Sequence, residues 1–425
     1  MKVAIMATAN EDGFKSRQTK YLCNIIDKPL IAYSIEQASK FSPDVTVVAR
    51  PNDKLRSVVE GLGAIFVEHA AAKEFFAAFG DEPVLVLQGD DMSLCACTSY
   101  PFSAQSPTTS EIIARILKIH ASTCAPATFA KTDDDHSHRF SFNGILTPDQ
   151  IDPKPWHSLP YVVAARHFAP LDEIINTHPN AEPYHIMFYD HHSRILTDFD
   201  VSNAANIISA AACTRLSQAG ANIAMHCMPL IGSAVTVEPD VVIYPNVEIT
   251  GKTHIGAGSV IRSGTRIHNT VIGPDCEIEH SVIMDSTIGS ATTIGPFAYV
   301  RPGSRIGSHC RIGDFVEIKN STIGDNSKAS HLGYIGDSTV GSNVNFGCGS
   351  ITVNYDGVNK SSTIIEDGVF VGSNSNLIAP VRLGENSFVA AGSTITNDIP
   401  PSGLAIARQR QENKSGWKRP VKRKG

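Results

Sequence analysis

The sequence predicts an α/β domain followed by a parallel β-helix, and three observations carry that prediction. From Val235 to Ile395 an aliphatic residue returns at most sixth positions. Val237, Ile243, Ile249, Ile255, Ile261 and Ile267 form one unbroken run. Ile288, Ile294, Val300, Ile306, Ile312 and Ile318 form a second, and Ile365, Val371, Leu377, Leu383, Val389 and Ile395 a third. Glycine often follows at once, as in Ile255-Gly256 and Val371-Gly372. Neither an α-helix, at 3.6 residues per turn, nor a hairpin sheet, at period 2, produces a period of six. Stacked short strands with compact corners do. The third observation is N-terminal, where short apolar strands alternate with helical patterns, as in a parallel sheet covered by helices.

Taken in order, Val3 to Met6 reads as a strand. Pro29 to Phe41 reads as a helix with Pro29 at its first position. Val45 to Val48, Ala64 to Val67 and Val84 to Leu87 are further strands, and ligands are expected beyond their carboxyl ends. Residues 100–200 are less legible, with Asp133 to His136 read as a loop. Asn203 to Ala219 is alanine-rich and helical in period, with Gly220 as its stop. The expected domains are 1–202 (α/β), 203–232 (helical linker), 233–408 (β-helix) and 409–425 (basic tail).

Three hexads make a coil of about 18 residues, with neighbouring coils about 4.8 Å apart, so residues 18 apart in one phase stand above each other. Single-residue slips fall at Ile272, Ile323 and Val340. The stretch GSITVNYDGVNKSST breaks the period between Phe346 and Ile365 and is expected to leave the prism as a loop. Interruptions of this kind usually build a solenoid's binding face.

With 425 residues, a net charge of −6 and a pI near 6.2, the chain does not read as a nucleic-acid binder. No apolar stretch approaches the length of a membrane span. The start, MKVAIMATANEDGFK, is not a signal peptide. Nine scattered cysteines read as free thiols in a reducing cytoplasm, and Cys95 and Cys97 lack a metal-binding context. The basic run from Lys414 to Lys424 reads as a solubilising tail or a phosphate-steering one.

Arg301 and Lys319 are 18 apart and each follows an inward aliphatic residue. Two stacked cations repel unless an anion intervenes, so the pair reads as a phosphate clamp. The other reading is two solvated side chains turned apart, with Glu317 or Asp314 as partners. His331, in KASHLGYIGD with Tyr334 three residues on, is either a general base or a structural histidine. Asn345 and the run Asn354-Tyr355-Asp356-Gly357 are turn-prone. Cys348 has no histidine near it in sequence and reads as packed.

The segments YVRPG, VEIKN, KASHLGYIGD, NVNFGCGSITVNYDG, DGVFVGSN, AAGSTIT and SGWKRPVK resemble the bifunctional GlmU family. Those proteins are N-acetylglucosamine-1-phosphate uridyltransferases fused to glucosamine-1-phosphate acetyltransferases. The resemblance spans about 295–422. It implies a left-handed β-helix and a homotrimer whose acetyl-transfer sites are built from adjoining subunits. It makes His331 the general base. Arg301 and Lys319 would hold the sugar phosphate, and Tyr334 and Asn345 the sugar. Cys348 (where the family often has alanine), Asn354, Tyr355, Ser373, Ala391 and Arg408 would line the path of acetyl-CoA, the co-substrate. Lys360 and Glu317 would be supporting charges.

The N-terminal half aligns with the start of the family's Rossmann-like nucleotidyltransferase domain, where a pattern like LAAGxGTRM is expected. This chain reads MATANEDGF, with Ala9 and Glu11 at the loop glycines and Gly13 at the catalytic arginine. Phosphate cradles need glycine so that backbone N–H groups can approach, and Glu11 and Asp12 would repel a triphosphate. A GTGHA-type uridine segment is missing between Val67 and Ala72. Lys20, IDKPL and Gly89-Asp90 survive. Asp90 matches a magnesium ligand, so Mg²⁺ is expected only if this half is active; the second metal position holds Ser202, with Asp200 as a substitute. Uridyl transfer is expected to be lost or very weak. The resemblance therefore implies a cytoplasmic acetyltransferase serving UDP-N-acetylglucosamine and cell-envelope synthesis. A full bifunctional enzyme is one alternative, and a silent trimeric scaffold or sugar-nucleotide sensor is another.

Overall fold

The computed structural model describes residues 1–8, 19–79, 82–88, 127–132, 161–164, 182–186, 198–224 and 229–417. The chain divides into two compact units, residues 1–214 with 230–233, and residues 215–229 with 234–425.

The first unit holds a seven-stranded sheet. Its strands are β1 (Lys2–Ala7), β2 (Val45–Ala49), β3 (Ile65–Glu68), β4 (Pro83–Gln88), β5 (Ala127–Thr132), β6 (Tyr161–Ala164) and β7 (Glu182–Ile186). The spatial order is β3-β2-β1-β4-β6-β5-β7, parallel from β3 to β4, with β6 antiparallel to both neighbours. Val3, Ile5, Val47, Leu85 and their neighbours are buried, as strands covered on both faces require. The helix α1 (Leu30–Ala38) packs into this core through Leu30, Ile31 and Tyr33. Pro29 lies one position before that helix, extended at φ −64° and ψ 150°, and not at its first turn as expected. A second helix, α2 (Asp53–Gly61), had no clear sequence signal because only Leu55 and Val59 are buried. It is capped by the Asn52 side chain, which accepts from Leu55 N at 3.0 Å. The expected alanine-rich helix runs from Asp198 to Gln218, and the chain turns at Gly220, φ +101°.

The second unit is a left-handed parallel β-helix of short stacked strands. The inward residues Ile243, Ile249, Ile255, Ile261 and Ile267 are fully buried, the continuous core that the six-residue period predicts. Pairing begins earlier than Val235, with Asn222–Ile223 against Val242–Ile243. Coil length is not uniform. Arg266 pairs with Val282, His254 with Val271 and Thr287 with Arg305, offsets of 16, 17 and 18. One coil is longer, with Ser338 paired to Thr363. The expelled segment is shorter than expected, because Ile351–Val353 remains a strand of the prism and the chain departs only after it.

Buried hydroxyls staple the coils together. Ser259 Oγ accepts from Cys276 N at 3.0 Å and donates to Gly273 O at 3.0 Å, and Thr292 and Ser327 do the same higher up. These residues are small enough for the corner and satisfy buried backbone groups that would otherwise be costly.

Candidate functional site

Each coil has three faces. The long strands Arg311–Lys319 and Lys328–Gly336 run along the first face, turn an edge, and continue along the second. That turn brings the backbone close, and a Cβ at Gly313 would lie 1.9 Å from Ser330 O.

The edge itself carries Asp314 and, paired to it one coil up, His331. His331 Nδ1 lies 3.1 Å from Asp314 Oδ1, and both side chains face solvent. A hydrogen bond donated by Nδ1 to that carboxylate leaves Nε2 as the nitrogen able to accept a proton. Above His331 the register holds an offset of 17 on both sides, through Ala329–Phe346 and Tyr334–Ile351, which places Cys348 next on the edge. Continuing through Asn345–Phe370 and Ile351–Asn376, then Phe370–Phe388 and Asn376–Thr394, places Ser373 and Ala391 above Cys348. Arg408 reaches back to this edge and donates from Nη1 to Ala391 O at 2.9 Å.

Cys348 is exposed, so the expectation that it is packed is overturned; among the described residues Cys213, Cys276 and Cys310 are the buried thiols. Its closeness to a histidine was invisible in sequence because a whole coil of chain separates them. The N–H groups of Gly347, Gly349 and Ser350 donate to Val371 O, Leu332 O and Gly347 O. The Cys348 N–H has no acceptor among the described residues.

On three successive coils the next residue along is apolar and exposed. Phe297, Phe315 and Leu332 are 55%, 59% and 55% exposed, and the two phenyl rings stack with centroids 5.6 Å apart. All three have positive φ, a conformation bulky residues rarely adopt.

The second edge lies at the far end of the second face, about 16 Å of extended strand from the first. Arg301 and Lys319 stack there as expected, with Arg301 N donating to Ile318 O at 2.8 Å. They are not a bare cation pair. Arg301 Nη1 meets Glu317 Oε1 at 2.8 Å, and Lys319 Nζ lies 3.5 Å from Asp337 Oδ2. The hydrogen bond from Arg301 to Glu317 raises the Arg301 pKa further. Repulsion between stacked cations is what each carboxylate relieves. Tyr334, half-buried, folds along the strand, so that a Cβ on Gly336 would come 2.3 Å from its hydroxyl. Gly336 pairs with Lys319, and the phenol therefore sits on the cation side of the face.

The inserted loop rises from this edge. Asn354 Nδ2 donates to Asp337 Oδ2, and Asn354 O accepts from Ser361 N at 2.9 Å. Asp356 accepts from Val358 N and Asn359 N at 2.8 and 2.6 Å, which holds its carboxyl below the usual range. Tyr355 is exposed and bridges to Lys360 across the loop. Asn345 stands apart, on the first face between Lys328 and Phe370. One chain thus groups His331, Cys348, Ser373, Ala391 and Arg408 on one edge. Arg301, Lys319, Tyr334, Asn354 and Tyr355 gather on or beside the other. Asn345 joins neither.

In the first unit a small cleft of about 90 Å³ lies at the carboxyl ends of β1 and β2, lined by Ala7, Thr8, Thr19, Tyr21, Arg50 and Asn52. Lys20 is fully buried, with Nζ 5.5 Å over the Tyr21 ring. Ala9, Glu11, Asp12, Gly13, Asp90 and the side chains of Asp200 and Ser202 lie outside the described residues, as does the tail beyond Trp417.

Residues 285–320 and 362–397 match the bacterial transferase hexapeptide family of six repeats. This chain thus carries, in its second unit, the hexapeptide repeat that the family's model describes. Among its relatives are the bifunctional GlmU proteins. That of Clostridium botulinum (strain Langeland) is 56% identical over 183 residues, 43% of this chain and 40% of the relative. That of Carboxydothermus hydrogenoformans is 52% identical over 202 residues, 48% of this chain and 45% of the relative. The resemblance to the GlmU family is therefore present over aligned stretches of 183 and 202 residues as well as in motifs, and this chain spans somewhat under half the length of the curated relatives it matches. Among solved structures, the UDP-N-acetylglucosamine acyltransferase of Francisella novicida aligns at 20% identity and TM-score 0.20, over 44% of this chain and 63% of that one.

Proposed function

We propose that the chain is a glucosamine-1-phosphate N-acetyltransferase that uses acetyl-CoA, with the β-helix of residues 233–408 as the catalytic domain. The observation that carries this reading is the first edge: His331 backed by Asp314, directly below Cys348, Ser373 and Ala391.

An ammonium group is no nucleophile. His331 Nε2 takes a proton from the sugar's amine, and Asp314 stabilises the imidazolium that results. The freed amine attacks the acetyl carbon, and the negative charge that develops on the carbonyl oxygen meets the Cys348 N–H. Collapse expels the CoA thiolate, which His331 can reprotonate, and the new amide nitrogen releases its remaining extra proton to water. Arg301 and Lys319 hold the sugar phosphate and Tyr334 the sugar, with Glu317 and Asp337 keeping both cations oriented until the phosphate arrives. Asn345 also holds the sugar. Arg408, Asn354 and Tyr355 hold the acyl donor beside Ser373 and Ala391.

The cation edge and the base edge lie one face apart, farther than one hexosamine phosphate reaches, which supports sites completed by adjoining copies in a homotrimer. The exposed Phe297-Phe315-Leu332 column beside His331 supports the same assembly, because monomers rarely leave such a column in water. No helix among the described residues is long and apolar enough to cross a membrane, in keeping with a cytoplasmic enzyme serving UDP-N-acetylglucosamine supply.

The assay is thiol release from acetyl-CoA with glucosamine 1-phosphate, followed by UTP and Mg²⁺ with pyrophosphate as readout. Release without pyrophosphate is the expected result. Pyrophosphate would restore the bifunctional reading with Asp90 as metal ligand, and no thiol release would leave the scaffold or sensor.

A further inference from the structure

We propose that Asp337 is a positioning residue that holds Lys319 and the loop residue Asn354 in one arrangement, and so sets affinity for both the sugar phosphate and the acyl donor. This rests on the acetyltransferase reading above.

The second edge carries a column of turn residues, Asn269, Asp285, Gly303, Asn320, Asp337 and Asn354. Lower in the column, Asn269 Nδ2 donates to Asp285 Oδ1 at 2.8 Å, a simple ladder contact between coils. Asn320 Nδ2 repeats it, donating to Asp337 Oδ1 at 2.8 Å. Corner stability alone explains that much. The Asp337 side chain does two further things that the Asp285 side chain does not. Its other oxygen accepts from Asn354 Nδ2 and faces Lys319 Nζ at 3.5 Å. The Asp337 backbone N–H donates to Lys319 O at 2.9 Å, as that of Asp285 does to His268 O, but its carbonyl accepts from Thr363 N at 3.4 Å, where the inserted loop rejoins the prism.

One carboxylate, with its side chain only 13% exposed, is therefore shared between the cation of one coil and the loop of the next. A groove of about 300 Å³ opens beside it, lined by Asn320, Asp337, Lys360 and Ser361. Without the shared carboxylate, Lys319 regains the rotamer freedom of an exposed lysine, and Asn354 loses the acceptor that aims its amide. Both losses act on binding rather than on the chemical step, since neither residue lies on the His331 edge.

The test uses full-length protein and calorimetric titration of glucosamine 1-phosphate and of acetyl-CoA, separately, alongside steady-state kinetics. For Asp337→Asn the dissociation constants for both ligands are expected to rise about tenfold, the scale of one charged hydrogen bond, with kcat at saturation within about twofold. Lys319→Ala should weaken only the sugar phosphate and Asn354→Ala only acetyl-CoA. Adding Asp337→Asn to Lys319→Ala should cost no further sugar-phosphate affinity, a non-additivity that a merely structural role would not produce. Unchanged affinities in Asp337→Asn, or additive losses in the double variant, overturn the proposal. Should Asp337→Asn fail to fold, Asp337→Glu replaces it. That variant keeps the charge beside Lys319 but displaces the acceptor of Asn354, so acetyl-CoA binding should fall more than sugar-phosphate binding. Equal or no loss overturns the proposal. If the unsubstituted protein binds neither ligand, the acetyltransferase reading falls and this inference with it.

Discussion

The edge through Asp314, His331, Cys348, Ser373 and Ala391 and the edge through Asn320, Asp337 and Asn354 are built from the same repeat and lie one face apart. The first is sparse in charge, flanked by exposed phenyl rings, and holds one histidine with a single carboxylate behind it. The second is dense in compensated charge, with Arg301 and Lys319 each facing an acid and Asp337 bonded to amides. A base needs an unencumbered nitrogen, whereas an anion site needs cations held ready and kept from repelling each other. The repeat supplies equivalent corners, and in the proposed function side-chain choice makes one a proton acceptor and the other an anion receptor.

Substitutions on each edge should separate these roles. The largest effect is expected for His331→Ala, with kcat for acetyl transfer falling about 10²–10⁴-fold while the circular dichroism spectrum and Tm stay unchanged. Near-normal turnover would remove the first edge from the chemistry. Next comes Phe315→Asp, which places a charge in the apolar column. Light scattering should show the assembly dissociating and activity falling with it, whereas an active, unchanged oligomer would mean the column faces solvent. Arg301→Ala should act on the other edge alone, raising KM for glucosamine 1-phosphate several-fold with kcat little changed; an unchanged KM would refute the clamp.

The smallest effect is pH-dependent. Burial pushes the Asp337 carboxyl upward, but donation from Asn320 and Asn354 and the charge of Lys319 outweigh it and hold the group below the usual carboxylate range. A carboxyl lowered by folding adds stability above its unfolded pKa and loses it as pH falls through the folded value. The Tm advantage of the unsubstituted protein over Asp337→Asn should therefore be constant near neutral pH and shrink on acidification. A gap that does not change with pH would show that charge is not what Asp337 contributes.

Much of the second unit was legible because a solenoid converts sequence spacing into position. The inward isoleucines, the Arg301–Lys319 stack and the presence of an expelled loop before Ile365 all follow from counting. The single-residue slips at Ile272, Ile323 and Val340 are present as pairings 17 residues apart, but counting did not carry them through to the first edge. A strictly uniform coil of three hexads would misplace Asp314 under His331 and hide Cys348 above it, since both pairings fall one residue short of that length. In the first unit the apolar strands β1, β2 and β4 were plain. By contrast, α2 was missed because it buries only Leu55 and Val59, and β5 to β7 because no regular period marks them.

By itself the sequence determined the two fold classes, the burial of one aliphatic per hexad, and the residue types able to move a proton or grip a phosphate. Those are local or periodic properties, set by side-chain chemistry and by the pitch of the repeat. The tertiary structure decided which of those residues share an edge, that both cations of the clamp already have acidic partners, and that Asn345 stands on a separate face. The reason is physical: a coil whose length varies from turn to turn fixes its register only when the backbone of one turn bonds to the next.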